Sequence, residues 1–210
     1  LSPSGTFRLW TLQQPSQYVY TRPLPSLLEM NILIFWDRGA PAGLEIPVAR
    51  IISQILDIPA EVCESPVLYN GFDRSRNQFN AGAILSCLDV FSRRTEEKSF
   101  ILLVTGDDIF RPGNRYVFGL SRPATRTAVI SSARLNNEYW GLPPDEMMLI
   151  DRLSREGAHE IGHLLHLEHC DNASCIMANP LTLDDLDNKK PMLCPQCQSK
   201  IIKNPVSVSL

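Results

Sequence analysis

The stretch "HEIGHLLHLEHC" (His159–Cys170) holds all four histidines of a 210-residue chain within eleven positions. His159 and His163 are four residues apart, so on a helix both project from one face toward one point. Neutral imidazoles at that spacing suit a zinc ion at about 2.0–2.1 Å. Glu160, between them, can reach a water at such a metal and take its proton. HExxH on a helix therefore reads as metal-assisted hydrolysis, most often of a peptide bond. The competing reading is a chance HExxH on a solvated helix, and the density of metal-ligating residues here weighs against it.

A zinc of that kind needs a third protein ligand and an open position. His166 would share the helical stripe of His159, but seven residues climb about 10.5 Å along the axis. Ligands of one ion cannot be spread so far. His169 reaches the metal only if the helix ends soon after Leu164 and the chain turns back. The cluster therefore demands a sharp break between Leu165 and His169.

Cysteines follow directly. Cys170 and Cys175, then Cys194 and Cys197, have the spacing of a four-thiolate zinc site. A shell of four protein thiolates leaves no open position, so this metal is structural. Cys170 adjoins His169, and the second ion would clamp the chain beside that histidine. It would also tie down residues 176–193, which we expect to make few other core contacts. The alternatives are two disulfides or four free thiols. Cys63 and Cys87 lie in apolar patterns and are expected to pack in the core.

The rest of the chain supplies a scaffold. Residues 1–30 are rich in Pro, Ser and Thr without a period and read as an irregular surface arm. "NILIFW" (31–36) and "SFILLVT" (99–105) are apolar runs that suit buried strands. "AEVCES" (60–65) is a candidate second strand. Val48, Ile51, Ile52 and Ile55 set a helical period running to about Leu56, and Pro59 follows its end. Asn80 can cap a second helix with Ala81, Ile84, Leu85, Leu88 and Phe91 on its apolar face. After a turn at Pro112-Gly113, "RYVFG" (115–119) and "RTAVISS" (126–132) read as short strands. Asp145 follows two prolines and starts a third helix, with Met147, Ile150, Gly157, Ile161 and Leu164 inward. That helix carries the histidines. Beyond it we expect loops and one short helix near residues 181–189, with "LDDLD" (183–187) solvated rather than calcium-binding. Strands alternating with helices argue an α/β domain with a mixed sheet.

Apolar residues at 44% and charged residues at 20% fit a globular domain with a sizeable core. The formal net charge of -3 gives no reason to expect a nucleic-acid or anionic-membrane partner. No apolar run approaches the roughly 20 residues needed to cross a bilayer. The first residues lack a basic-then-apolar leader pattern, so the expectation is a cytoplasmic protein.

The order HExxH, turn, His resembles the metzincin metallopeptidases. The continuation through Cys170, Cys175, Met177 and the closing CxxC resembles the archaemetzincin signature. "RNQFNAGAIL" (76–85), "VTGDDIF" (104–110), "YVFG" (116–119) and "AVISSARL" (128–135) also look like archaemetzincin segments. The likeness covers roughly residues 31–202. It implies a metzincin-like mixed, twisted sheet with two backing helices, a zinc-binding active-site helix and a zinc-stapled C-terminal subdomain. The implied division is 31–166 and 167–202 within one metallopeptidase domain, with a tail at 203–210.

The resemblance further implies two zinc ions per chain. His159, His163 and His169 would hold the catalytic ion, with Glu160 as general base. Cys170, Cys175, Cys194 and Cys197 would hold the structural one. Met177 would be the Met-turn floor beneath the metal, against the plain alternative of core packing. A peptide or protein substrate would pair antiparallel with an edge strand, for which Tyr116, Val117, Phe118 and Gly119 are the candidates. Metzincins place Gly where this chain has His166, so His166 is expected to make the turn with its backbone while its ring faces solvent or Glu168. Were the turn altered, the alternative is a catalytically impaired zinc-binding protein with a structural or binding role.

Overall fold

A computed structural model describes residues 30–203; the expected arm before residue 30 and the tail after residue 203 lie outside the described residues. A five-stranded sheet runs in the order β2 (Ala60–Glu64), β1 (Ile32–Trp36), β5 (Phe100–Thr105), β8 (Thr127–Ser131) and β7 (Gly119–Arg122). The first four are parallel, and β7 closes one edge antiparallel to β8, with Gly119 opposite Ile130. β5 is central and every one of its residues is buried. That explains its unbroken apolar run: a strand covered on both faces has no polar alternation to keep. A small second sheet joins β3 (Phe72–Asp73), β4 (Gln78–Asn80) and β6 (Ile109–Phe110).

Helices cover both faces. α1 (Glu45–Leu56) and α3 (Glu146–Leu164) pack on one face against Ile32, Ile34, Leu102, Val104 and Ile130. α2 (Ala81–Thr95) packs on the other against Phe35, Ile101, Leu103 and Val129. The alternation of side chains along each strand feeds the two cores separately. Asn80 caps α2 through Gly82 N at 2.9 Å and Ala83 N at 3.3 Å, and Asp145 caps α3 through Met148 N at 2.9 Å. Two short helices follow, α4 (Leu183–Asp187) and α5 (Pro195–Lys203). Among the described residues no helix is long and apolar enough to cross a membrane.

Several expectations need correction. The strand expected at 115–119 lies at Gly119–Arg122 instead. Val117 N bonds Ile109 O, outside the main ladder, so the chain joins β8 only from Gly119 onward. Cys63 is exposed, because β2 is the sheet's other edge, and Cys87 is only half-buried. Met147 is 73% exposed at the start of α3, one turn before the helix reaches the core. The region after the histidines is also less loop-like than expected, since α5 had no reading in the sequence. Nor does residues 176–193 depend on a metal alone. Ile176, Met177 and Leu186 are fully buried in the main core.

A buried arginine fastens that region to α3. Arg152, 4% exposed, donates to both carboxylate oxygens of Asp187 at 2.8 and 2.7 Å. Its Nη1 donates to Leu135 O and Asn137 Oδ1. The planar guanidinium thus spends its fork on one carboxylate and still satisfies two other acceptors.

Candidate metal centre and cleft

α3 ends at Leu164, and Leu165 caps it. His166 takes φ 62°, the left-handed conformation that lets a helix turn back. His166 N bonds His163 O at 2.9 Å, and Leu167 N reaches back to Gly162 O at 3.0 Å. This pair of bonds reverses the chain and brings His169 to the other two histidines. The ligand atoms of His159, His163 and His169 all lie within 4.8 Å of one another. His166 is outside that group and its ring is exposed.

The donor chemistry of the three histidines fits a metal. His159 Nδ1 is 2.9 Å from Ile176 O, and His163 Nδ1 is 2.8 Å from Leu167 O. A carbonyl only accepts, so each Nδ1 carries the proton and each Nε2 is left with its lone pair. The two Nε2 atoms are 3.1 Å apart, two lone pairs converging on one point. Burial holds all three imidazoles below the ordinary histidine range, which favours the neutral, ligating form.

The helix and the sheet edge meet closely here. A Cβ on Gly119 would sit 2.7 Å from Glu160 Oε1, so β7 approaches the carboxylate to a distance only glycine permits. A Cβ on Gly162 would fall 2.3 Å from Met177 Sδ. The fully buried thioether of Met177 therefore packs directly on the helix between His159 and His163. Tyr116, Val117, Phe118 and Gly119 line the resulting cleft of about 1040 Å³, together with Glu160 and the histidines.

Sequence reading missed two charged groups. Glu156, 3% exposed, also lines the cleft, and its buried Oε2 has no hydrogen-bond partner among the described residues. Its position one turn before Glu160 was a usable signal. Lys189 is 2% exposed, and its Nζ donates to Ile176 O at 3.1 Å. Burial pushes Glu156 up to about 7 and Glu160 up to about 8, and draws Lys189 down to about 8. Lys189 is the cation that opposes the shifts of both carboxylates.

Cys170, Cys175, Cys194 and Cys197 form the second cluster, their sulfurs also within 4.8 Å of one another. All are free thiols, and Cys170 Sγ lies 3.8 Å from Cys194 Sγ. Cys194 immediately precedes α5, and the backbone N–H of Cys197 pulls its thiol down to about 7. Cys170 N bonds Met177 O at 2.9 Å, which ties the thiol cluster to the methionine packed against α3 at Gly162. Four convergent sulfurs suit a tetrahedral zinc shell.

A mixed α/β sheet, a helix-borne HExxH completed by a histidine after a tight turn, and a cleft along the sheet edge together define a metzincin-type metallopeptidase architecture. Residues 48–203 match the profile of Peptidase family M54, and the chain belongs to that family, the archaemetzincins. It is 38% identical over 136 residues to an archaemetzincin of Pyrococcus horikoshii, spanning 65% of this chain and 72% of that one. A crystal structure of a zinc-dependent peptidase from Methanocorpusculum labreanum superposes with a TM-score of 0.78 at 39% identity, covering 81% of this chain and 99% of its own. The archaemetzincin of Methanopyrus kandleri superposes with a TM-score of 0.73 at 28% identity, covering 87% and 99%.

Proposed function

We propose that this member of the peptidase family hydrolyses peptide bonds with one catalytic zinc and carries a second, structural zinc. His159, His163 and His169 would hold the first, and Cys170, Cys175, Cys194 and Cys197 the second. The observation that carries the reading is the convergence of two deprotonated Nε2 atoms, 3.1 Å apart, beside the buried carboxylate of Glu160. Zinc bound there supplies Lewis acidity, which acidifies water and polarises a carbonyl.

The chain's own residues do the rest. Glu160 takes a proton from the attacking water as its oxygen bonds the carbonyl carbon, and delivers that proton to the amine as the C–N bond breaks. Nδ1 bonds to Ile176 O and Leu167 O hold two imidazoles in one tautomer and one orientation. Met177 is the floor beneath them. The peptide lies extended and antiparallel to β7, with Tyr116–Gly119 forming the rim that receives it. Residues 31–202 act as one domain, divided at the turn after His166. Four cysteines grouped as a metal site rather than paired as disulfides suit a reducing compartment, so we read the protein as cytoplasmic. The impaired-enzyme alternative loses its motive, because His166 adopts the left-handed turn that brings His169 to its partners.

Glu160→Gln tests the reading. It keeps the shape and all three histidines, and removes only the base. Hydrolysis of a generic protein substrate should fall by roughly 10²–10⁴-fold. Native mass spectrometry should still count two zinc ions per chain. Undiminished cleavage by the variant would overturn the role of Glu160, and a parent protein that takes up no zinc would overturn the whole reading.

A further inference from the structure

Arg111 and Arg115 are the only lysine or arginine residues lining the cleft among the described residues. Both are exposed, and among the described residues neither guanidinium has a hydrogen-bond, ion-pair or ring partner. An exposed arginine is ordinary on a protein surface. What sets this pair apart is how firmly its backbone is held. The Arg76 guanidinium donates to Asn114 O at 2.9 Å and to Arg115 O at 2.8 Å, and lies 4.2 Å from the centroid of the Phe110 ring. Gln78, 4% exposed, adds a bond to Arg115 O at 3.2 Å. Asn114 N closes the turn on Arg111 O at 2.9 Å. Carbonyls are drawn inward by this brace, and two cations with no counter-ion among the described residues stand on a braced loop at the cleft.

Their place along the cleft follows from the chain direction. Gly119 marks the level of the Glu160 carboxylate, where the bond is broken. Arg115 lies four residues earlier, at most about 13 Å away along extended chain. A substrate antiparallel to β7 runs the opposite way, so its C-terminal half points toward Arg115. Resting on the peptidase reading given above, we propose that Arg111 and Arg115 form a carboxylate subsite on the C-terminal side of the scissile bond. The substrate class is then peptides with an acidic side chain, or their own terminal carboxylate, within about four residues after the cleaved bond.

The test uses zinc-loaded Glu160→Gln protein, so that binding is read without turnover. One neutral, labelled octapeptide is made with a single Glu or Lys moved through each position, in free-acid and amidated forms. Anisotropy gives the affinities, and mass spectrometry of parent digests locates the cut. A Glu after the cut should bind roughly three- to tenfold tighter than Lys at the same place. Arg111→Glu/Arg115→Glu in the same background should invert that order. A gain from the free acid alone, also inverted by charge reversal, assigns the terminal carboxylate as the source. A preference that is absent, lies before the cut, or survives charge reversal overturns the subsite. If the parent cuts no peptide, position is read from the label-defined ends; a charge-reversible preference there sustains the subsite while the peptidase reading fails, and its absence sinks both.

Discussion

Lys189 and His159 share one acceptor: Ile176 O receives His159 Nδ1 at 2.9 Å and Lys189 Nζ at 3.1 Å. The two nitrogens are 3.5 Å apart, and because both donate to the carbonyl they do not bond each other. A buried cation is thus held against the edge of a proposed zinc ligand. Two effects of Lys189→Met oppose each other. Removing a positive charge should help a zinc ion bind. Removing a donor frees the carbonyl that orients His159 and leaves Glu156 and Glu160 without the buried cation that opposes their shifts. Loss of such an outer partner typically costs 10–100-fold in metal affinity. We expect zinc at the histidine site to weaken by about tenfold or more, measured by competition with a chromophoric chelator, while the cysteine site keeps its metal. A tighter histidine site would show that charge repulsion outweighs positioning.

What the sequence disclosed, and what it hid, divides along physical lines. β1 and β5 were legible because strands buried on both faces are unbroken apolar runs. α2 was legible from its period and its Asn80 cap. A break between Leu165 and His169 followed from metal geometry, since three ligands cannot be strung along one helix, and its placement at His166 came from the resemblance to metzincins. β7 was misplaced because Tyr116–Phe118 looks like a strand but lines the cleft before the ladder begins. β3, β4 and β6 have two or three residues each, too few to show alternation. Lys189 was invisible for another reason. It sits in a run of charges that reads as solvated, and only the tertiary fold turns it inward.

The two proposed metal sites should part company under chelation. Cys175 and Cys197 are 1% and 2% exposed, and the four convergent sulfurs would close the shell of a bound ion. His169 is exposed on the cleft, where a chelator can enter. Mild chelation should therefore strip the histidine site first, with little change in near-ultraviolet circular dichroism. Harsher treatment should release the second ion together with protease sensitivity across 170–200. Loss of both ions in one step would contradict this order.

Arg152 tests whether the C-terminal region is held by more than its thiols. Its guanidinium binds Asp187 bidentately, and the pair is far more buried on the arginine side. Arg152→Met fills similar volume but strands the carboxylate, Leu135 O and Asn137 Oδ1. Breaking one side of a buried pair costs about 3–5 kcal/mol, and the partial exposure of Asp187 puts this case near the lower end. Denaturant unfolding of the zinc-loaded protein should show a loss of about 3 kcal/mol. A change under 1 kcal/mol would mean that the thiol cluster alone secures this region.

His166 is the place where this chain departs from the glycine of metzincins. A non-glycine residue with φ 62° carries a Cβ penalty on the order of 1–2 kcal/mol. Its ring is exposed, so deleting it sacrifices little packing. Against the relief stands the extra freedom that glycine gives the unfolded chain, about 0.4–1 kcal/mol. The backbone bonds that make the turn, His166 N to His163 O and Leu167 N to Gly162 O, need no side chain. His166→Gly should therefore leave stability level or raise it by up to about 1 kcal/mol. Zinc at the three histidines should stay at parent occupancy, since the ring is outside their cluster. Thermal unfolding and native mass spectrometry of the same sample give both answers. A fall in stability beyond 1 kcal/mol, or loss of the histidine-bound ion, would mean that the His166 ring has a partner when zinc is bound, and would make it a working part of the site.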